Sequence, residues 1–444
     1  MAASETALRV MANRHPDAPQ QKDLDKCVHC GLCLNACPTY RELGVEMDSP
    51  RGRIYQMVQV ATGAAPMDDG YLEHMALCLG CRACETACPS GVEYGKLIEA
   101  ARTEIQSKVK RPFPWQLIED FVYGTLLPSP LLLRLVGGFL WFHQKSGIES
   151  LVRTSGLLKL LGPLAKIDHL TPEAQLPTFY TKYGKVFFAE GERKYRVAML
   201  GGCIANVFFA RLHEATVRVL QKNGCEVVVP AAQGCCGALH AHAGRREEAR
   251  ALARNNIDAL LQTNFDAIIS NTGGCGATLK EYDEILEHDA KYHDKAKIFV
   301  SKLKDVNEFL ASIDLNMNMG KVNRRVTYQD SCHLCHGQKI KLAPRKLLKA
   351  IPGLDFVEMP ASDVCCGSAG TYNVVENEMA EQILSSKMKN VNSVNPEQIA
   401  SSNPGCMIQL AAGCKMHGND KLKSNPEPVK HIVELLDEAY RNFN

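Results

Sequence analysis

The chain has 444 residues, 51 of them basic and 49 acidic, for a formal net charge of +2. At about 150 residues per domain this length suggests roughly three domains, and so balanced a charge excludes a nucleic-acid footprint or an acidic tail. The apolar share is 45%, enough for real cores, and 19 residues are cysteine. A disulfide scaffold is short and richer in cysteine. Here the chain is long, the cysteine count is odd, and MAASETALRVMANRHPDAP has neither an apolar core nor a twin-arginine pair. These features predict a cytoplasmic, thiol-reducing setting in which clustered cysteines bind metal.

Eight cysteines lie in residues 27–88. CVHCGLCLNACP carries Cys27, Cys30, Cys33 and Cys37 before Pro38; CLGCRACETACP carries Cys78, Cys81, Cys84 and Cys88 before Pro89. Both are C-x2-C-x2-C-x3-C-P, the bacterial ferredoxin run, in which one loop holds three iron corners and its fourth cysteine serves the other cluster. The spacing assigns Cys27, Cys30, Cys33 and Cys88 to one [4Fe–4S] cluster, and Cys78, Cys81, Cys84 and Cys37 to a second. The competing reading is four-thiolate zinc, which also uses C-x2-C pairs but rarely three such cysteines plus Cys-Pro, twice. Between the runs, SPRGRIYQMVQVATG predicts a helix after a Ser-Pro start, so the module is expected to be helical. Arg51 and Arg53 at that start are either structural or hydrogen-bond backbone or partner groups.

Residues 105–190 contain no cysteine and are rich in Leu, Lys and Pro. Their apolar residues recur at helical spacing in pieces broken by Pro and Gly, which predicts short amphipathic linking helices. The most apolar stretch, residues 126–142, is 17 long and contains Pro128, Pro130 and Arg134. A membrane span needs about 20 apolar residues without a central charge. These helices either pack on their own protein or form a docking surface for a partner subunit or a membrane.

The C-terminal half repeats itself. Cys203, Cys235–Cys236 and Cys275 recur as Cys332, Cys365–Cys366 and Cys406, at offsets of 129, 130 and 131 residues. In the first copy KYRVAMLGGC, CEVVVP and DAIISNTGGC read as strands, the outer two ending at Cys203 and Cys275. FFARLHEATVRVLQKNG and RREEARALARNNIDALLQ read as helices. RVTYQDSC, LDFVEMP and QIASSNPGC are the strands of the second copy. Alternating strands and helices predict parallel sheets with ligand sites at the strand ends. Each copy offers four thiolates to an iron–sulfur cluster, to zinc, or to a redox-active thiol pair; Gly237 and Gly367 let the backbone approach the centre. Cys225 is expected in the core, and Cys335 and Cys414 are left without a ligand role. His240, His242, His333 and His336 are expected to be ordinary satisfied histidines, with hydrogen bonds to a cluster or to quinone as the alternative. No dinucleotide fingerprint, P-loop, Ser/His/Asp order or paired carboxylates stand out. The expected fold class is α+β: a helical ferredoxin-like module (1–104), a helical linker (105–190) and two α/β Cys-Cys-Gly domains (191–320 and 321–444).

Two ferredoxin runs followed by two Cys-Cys-Gly domains resemble the iron–sulfur subunit of glycolate oxidase (glycolate dehydrogenase). The resemblance runs from about Leu24 to the C-terminus. It is closest in KCVHCGLCLNACPTYRELGVEMDSPRGRIYQM, QGCCGALHAHAG, NNIDA, NTGGCGATLKEY and VCCGSAGTYNV. Similar subunits serve anaerobic glycerol-3-phosphate dehydrogenase, lactate utilisation and heterodisulfide reductase. The last ends its repeats in C-x-x-C, whereas Cys275 is followed by Gly276-Ala277-Thr278 and Cys406 by Met407-Ile408-Gln409. The resemblance implies an electron-transfer subunit that takes electrons from an FAD-containing 2-hydroxy acid dehydrogenase subunit and passes them toward quinone or another acceptor at the cytoplasmic membrane face. FAD and NAD are not expected in this chain, nor is nucleic acid among its partners. The rivals are a disulfide- or quinone-reducing enzyme acting at a Cys-Cys-Gly centre, and a docking module with zinc in the repeat.

Overall fold

The computed structural model describes residues 14–155 and 170–443. The helical pieces predicted within residues 156–169 lie outside them. The first module is helical. Ser49 caps the helix Pro50–Ala61, its hydroxyl accepting from Gly52 N–H at 2.9 Å, with Pro50 at the first position. Ile54, Met57 and Ala61 of its buried face share a core with Leu97, Ile98 and Ala101 of the helix Tyr94–Lys108.

Among the described residues, nine strands follow. They are β1 (Val186–Phe187), β2 (Tyr195–Leu200), β3 (Cys225–Val228), β4 (Ala267–Ser270), β5 (Leu303–Asp305), β6 (Arg324–Gln329), β7 (Leu354–Val357), β8 (Gln398–Ser401) and β9 (Val429–His431). One sheet has the order β1-β3-β2-β4-β5 and the other β7-β6-β8-β9. All pairings are parallel except β1 on β3. The repeat is therefore structural as well as sequential. Val197 pairs with Val227 in the first sheet, and Val326 with Phe356 in the second, both members displaced by 129 positions. β1 comes from the linker side of residue 190 and extends the first sheet by one edge strand.

Strand ends differ from the sequence expectation. The strands expected to reach the cysteines stop at Leu200, Ser270, Gln329 and Ser401. Cys275 and Cys406 instead lie in the first turns of the helices Gly273–Leu279 and Pro404–His417. The polar pairs Asn271-Thr272 and Ser402-Asn403 follow the strands, residue types that favour turns and helix starts over ladder positions, and Asn271 and Asn403 reach across to Thr216 and Gly274. β5 and β9, three residues each, were not foreseen; LKD and VKH are too short to show an alternating pattern.

Side-chain alternation divides the cores. Val197 and Met199 face one side of β2, Ala198 and Leu200 the other. The Val197 side does not stop at the repeat boundary. One continuous cluster holds Val197, Leu220 and Ile269 of the first copy with Val326, Ala400 and Leu436 of the second. At its centre the helix Ala210–Lys222 meets the helix Ile432–Arg441, with Arg218 forking onto Asp437 at 2.9 and 2.8 Å.

Two buried histidines lie near this seam. Burial pulls His213 down to about 4 and His431 down to about 3. An unfolded histidine titrates near 6.5, so below that pH the unfolded chain binds protons that the folded one refuses. The stability these groups contribute is fully present above about 6.5 and is lost as pH falls toward their folded values, each at about 1.4 kcal/mol per pH unit. Urea midpoints measured at pH 7.5, 6.5 and 5.5 should fall accordingly. His431 Nδ1 also caps its helix by accepting from Val433 N–H. His431→Asn keeps a capping side chain and should remove one such share of the slope; an unchanged slope would refute the assignment.

Candidate metal centres

The two ferredoxin runs differ in depth. In the first, Cys30 is exposed and Cys27 and Cys33 are half-buried. Gly31 adopts φ +84°, which turns the loop tightly between its cysteines. Arg51 pins this loop by donating to His29 O at 3.1 Å while bonding Glu46 on its other side. Cys27, Cys33 and Cys88 pack against the same core, and burial pushes the Cys33 thiol up, with Cys27 and Cys30 as neighbouring thiols.

The second run lies deeper. Cys37 leaves its own loop and lines one cavity with Cys78, Cys81 and Cys84, together with Arg53 and Tyr94. All four thiols are buried. Gly80 N–H donates to Cys78 Sγ at 3.4 Å and Tyr94 O–H to the same sulfur at 3.8 Å. Burial drives Cys81 and Cys84 well above the ordinary thiol range. Four buried thiols with convergent donors and a buried guanidinium fit a metal cluster, which would hold them as thiolates. Arg53 is fully buried, donating to His74 O at 2.7 Å and to Thr39 and Asp48 at 3.3 Å. It is structural and also a cation beside the cavity.

The repeats place their thiols as chains of contacts. Cys235 and Cys203 lie 3.3 Å apart, and Cys236 lies beside Cys235 and Cys275. In the second copy Cys332 and Cys365 lie 3.9 Å apart, and Cys366 lies beside Cys365 and Cys406. Gly237 and Gly367 each donate N–H to the sulfur two residues back at 3.5 Å. Gly367 has no substitute: at φ +90° an added Cβ would sit 2.5 Å from Ala380 O. Among the described residues, no three His, Cys, Asp or Glu side chains gather closely enough around one point for a single ion.

The copies are not chemically equal. Lys387 is buried beside the second site, pulled down to about 8 by burial and donating to Ala361 O and Ser362 O. Its place in the first copy, aligned through Ala249 and Ala380 over the two glycines, is taken by neutral Asn256. Asn403 joins the two sites: its Oδ1 accepts from Gly274 N–H at 3.0 Å and its Nδ2 donates to Cys406 Sγ at 3.4 Å. Sequence reading missed Lys387 and Asn403, for a lysine in a helix and an asparagine at a turn are ordinary surface signals.

The remaining sequence candidates have partners within the chain. His240 bonds Tyr123 O, His242 bonds Glu99, His333 bonds Gly80 O, and His336 bonds Thr86 and Asp363 O, at 2.7–3.0 Å. All four tie the repeats to earlier parts of the chain. Cys225 lies in the joint core and Cys414 in the core behind the second sheet. Cys335 is buried with its thiol toward Cys332 O.

The comparisons with known proteins agree with this layout. Residues 23–92 match the 4Fe-4S dicluster domain, and residues 197–280 and 326–411 each match the cysteine-rich domain. Residues 114–171 match the linker region of the glycolate oxidase iron-sulfur subunit. The chain is 40% identical to the probable glycolate oxidase iron-sulfur subunit of Bacillus subtilis (strain 168), over 98% of both chains. It is 34% identical to the glycolate oxidase iron-sulfur subunit of Escherichia coli (strain K12), over 94% of both. It is also 30% identical to a fumarate reductase (CoM/CoB) subunit of Methanothermobacter marburgensis, over 96% of this chain and 74% of that one. With its dicluster module, its linker and its duplicated cysteine-rich domain in this order, the chain belongs to the family of glycolate oxidase iron–sulfur subunits.

Proposed function

We propose that the chain relays electrons from a flavin-bearing subunit that oxidises glycolate, or a similar 2-hydroxy acid, toward quinone, through centres held by sixteen of its cysteines. Its units are residues 1–104, 105–190, 191–320 and 321–444. Cys27, Cys30, Cys33 and Cys88 hold the outermost [4Fe–4S] cluster, and the flavin partner docks there, where Cys30 is exposed among the exposed apolar residues Val28 and Leu32. Cys37, Cys78, Cys81 and Cys84 hold the inner one. Bound there, such clusters supply one-electron steps; the chain excludes water and keeps donors on the sulfurs.

The observation that carries this order is a shared buried cluster. Leu79, Cys81 and Ala83 pack with Cys365 and Tyr372, and Cys332 lies against them. The second repeat, with its buried Lys387, therefore follows the inner cluster in the relay, and Asn403 leads on to the first. The test is metal analysis with spectroscopy. About eight iron per chain would confine clusters to residues 27–88, and roughly twelve to sixteen would extend them into the repeat, at four iron per cubane. Magnetic coupling between the inner cluster and a second-repeat centre, lost in Cys365→Ser, is the expected signature. Zinc in the second repeat, or turnover of a disulfide by the isolated chain, would overturn the relay order.

A further inference from the structure

The relay leaves one surface unused. Among the described residues, 29 large apolar side chains are exposed, and eleven of them fall within residues 113–142. All of these but Phe113 sit on two helices, Trp115–Phe121 and Pro130–Lys145. The first buries none of its residues. The second is docked by one stripe only: Leu133 and Gly137 are buried, and a Cβ on Gly137 would reach within 2.5 Å of Val207. The far side of a helix docked in this way ordinarily carries charge. Here it carries Leu131, Leu135, Phe139 and Phe142, from 58 to 68% exposed, with Arg134 and the terminal Lys145 as its ionic residues.

We propose that this pair of helices lies in the surface of an anionic lipid bilayer, its apolar side sunk among the acyl chains. The inference goes beyond the relay reading and does not depend on it. Three observations select lipid over a protein partner. The helices bend by 109° at their junction and neither is long enough to cross a membrane, so together they suit the plane of the interface. The two tryptophans of the whole chain, Trp115 and Trp141, are both here and both exposed, and tryptophan concentrates at the headgroup level. The flanking charge is positive: Lys110, Arg111 and Arg134 stand against Glu119 and Asp120. Both acids are already paired, with Arg111 and Arg245, and the outlying Lys108 and Lys145 pair with Glu104 and Glu173. Lys110 and Arg134 form the basic surplus that meets anionic headgroups.

The pair is held firmly enough to act as a foot. Tyr123, between the helices, accepts from His240 through its carbonyl at 2.8 Å and lies under the Arg245 guanidinium at 5.2 Å. Leu126 and Leu133 pack with Cys203, Val207 and Cys235. The first repeat's thiols therefore sit directly behind the proposed membrane face.

The chain itself reports on this. Its only tryptophans are at the surface in question, so their fluorescence in the full cluster-bearing chain reads binding directly. With phosphatidylglycerol–phosphatidylcholine vesicles the emission should shift to the blue, brominated acyl chains should quench it, and the protein should float with the vesicles. Pure phosphatidylcholine and high salt should weaken all three effects. Leu135→Ser with Phe139→Ser should lower the vesicle partition constant about tenfold or more per side chain. Because both side chains are exposed, the visible absorption and circular dichroism of the variant should match the parent, which separates loss of binding from loss of fold. Absence of quenching by brominated lipid, or equal binding by the double variant, would overturn the proposal. So would flotation only when a partner protein is supplied, which would make the face a protein interface.

Discussion

Cys37→Ser protein is expected to lose the signal of the centre built on Cys78, Cys81 and Cys84, with about four iron per chain, and to keep the signal of the Cys27–Cys30–Cys33 centre. The reason is positional. Cys37 ends the first run in sequence, but its sulfur faces the cavity of the second, where it lies with the other three and with Arg53. Its neighbours are fixed: the sulfur stands 3.2 Å from Thr39 Oγ1, which itself donates to Asp48 O at 2.8 Å. A serine there offers a poorer ligand in an unchanged backbone. Electron paramagnetic resonance of the dithionite-reduced variant, set beside iron analysis, tests it. Loss of the exposed centre with the buried one intact would show the crossed assignment to be wrong.

Arg53→Met is expected to cost about 3–5 kcal/mol of unfolding free energy, the usual penalty for stripping one partner from a buried ion pair. Burial opposes the guanidinium charge, but neighbouring groups, Cys78 and Asp48 among them, outweigh that and hold it firmly protonated. Its removal leaves the Asp48 carboxylate, itself buried, with only His74 at 2.9 Å. It also removes a positive charge from the wall of the inner cavity, so the centre there should become harder to reduce. Arg53→Lys, which keeps the charge and loses the fork, should shift the potential less than the methionine variant while still destabilising. Chemical unfolding and a potentiometric titration, run on both variants, separate the two effects. Equal potentials in parent and methionine variant would remove the electrostatic role and leave a purely structural one.

The parts of this protein legible in its sequence are those whose physics is local. Three thiolates within seven residues announce an iron corner set, since one loop supplies them. Offsets of 129 to 131 between cysteine groups announced two sheets, and apart from the added β1 the sheets share one strand order. The rest depends on partners far apart in the chain. Arg53 was visible as a helix-start arginine, but its burial needs Asp48, Thr39 and His74 to converge from three elements. Lys387 sits in SSKMKNVNS, where lysine normally points to water, and is instead buried with its ammonium on the distant carbonyls of Ala361 and Ser362. Nothing in the sequence of either repeat says that Leu220 and Leu436 belong to one core. Strand ends were misplaced where turn-forming Asn271-Thr272 and Ser402-Asn403 follow an apolar run.

The joint core also bears on how the protein is made. Arg218 and Asp437, which clasp the two central helices, are 219 positions apart. At ordinary translation rates a ribosome needs about 10–40 s to cover that distance. Throughout that interval the apolar side of the helix Ala210–Lys222 has no Ile432–Arg441 helix to close on. The nascent first repeat is thus a natural client for a chaperone, and its cysteines are made well before the core behind them is complete.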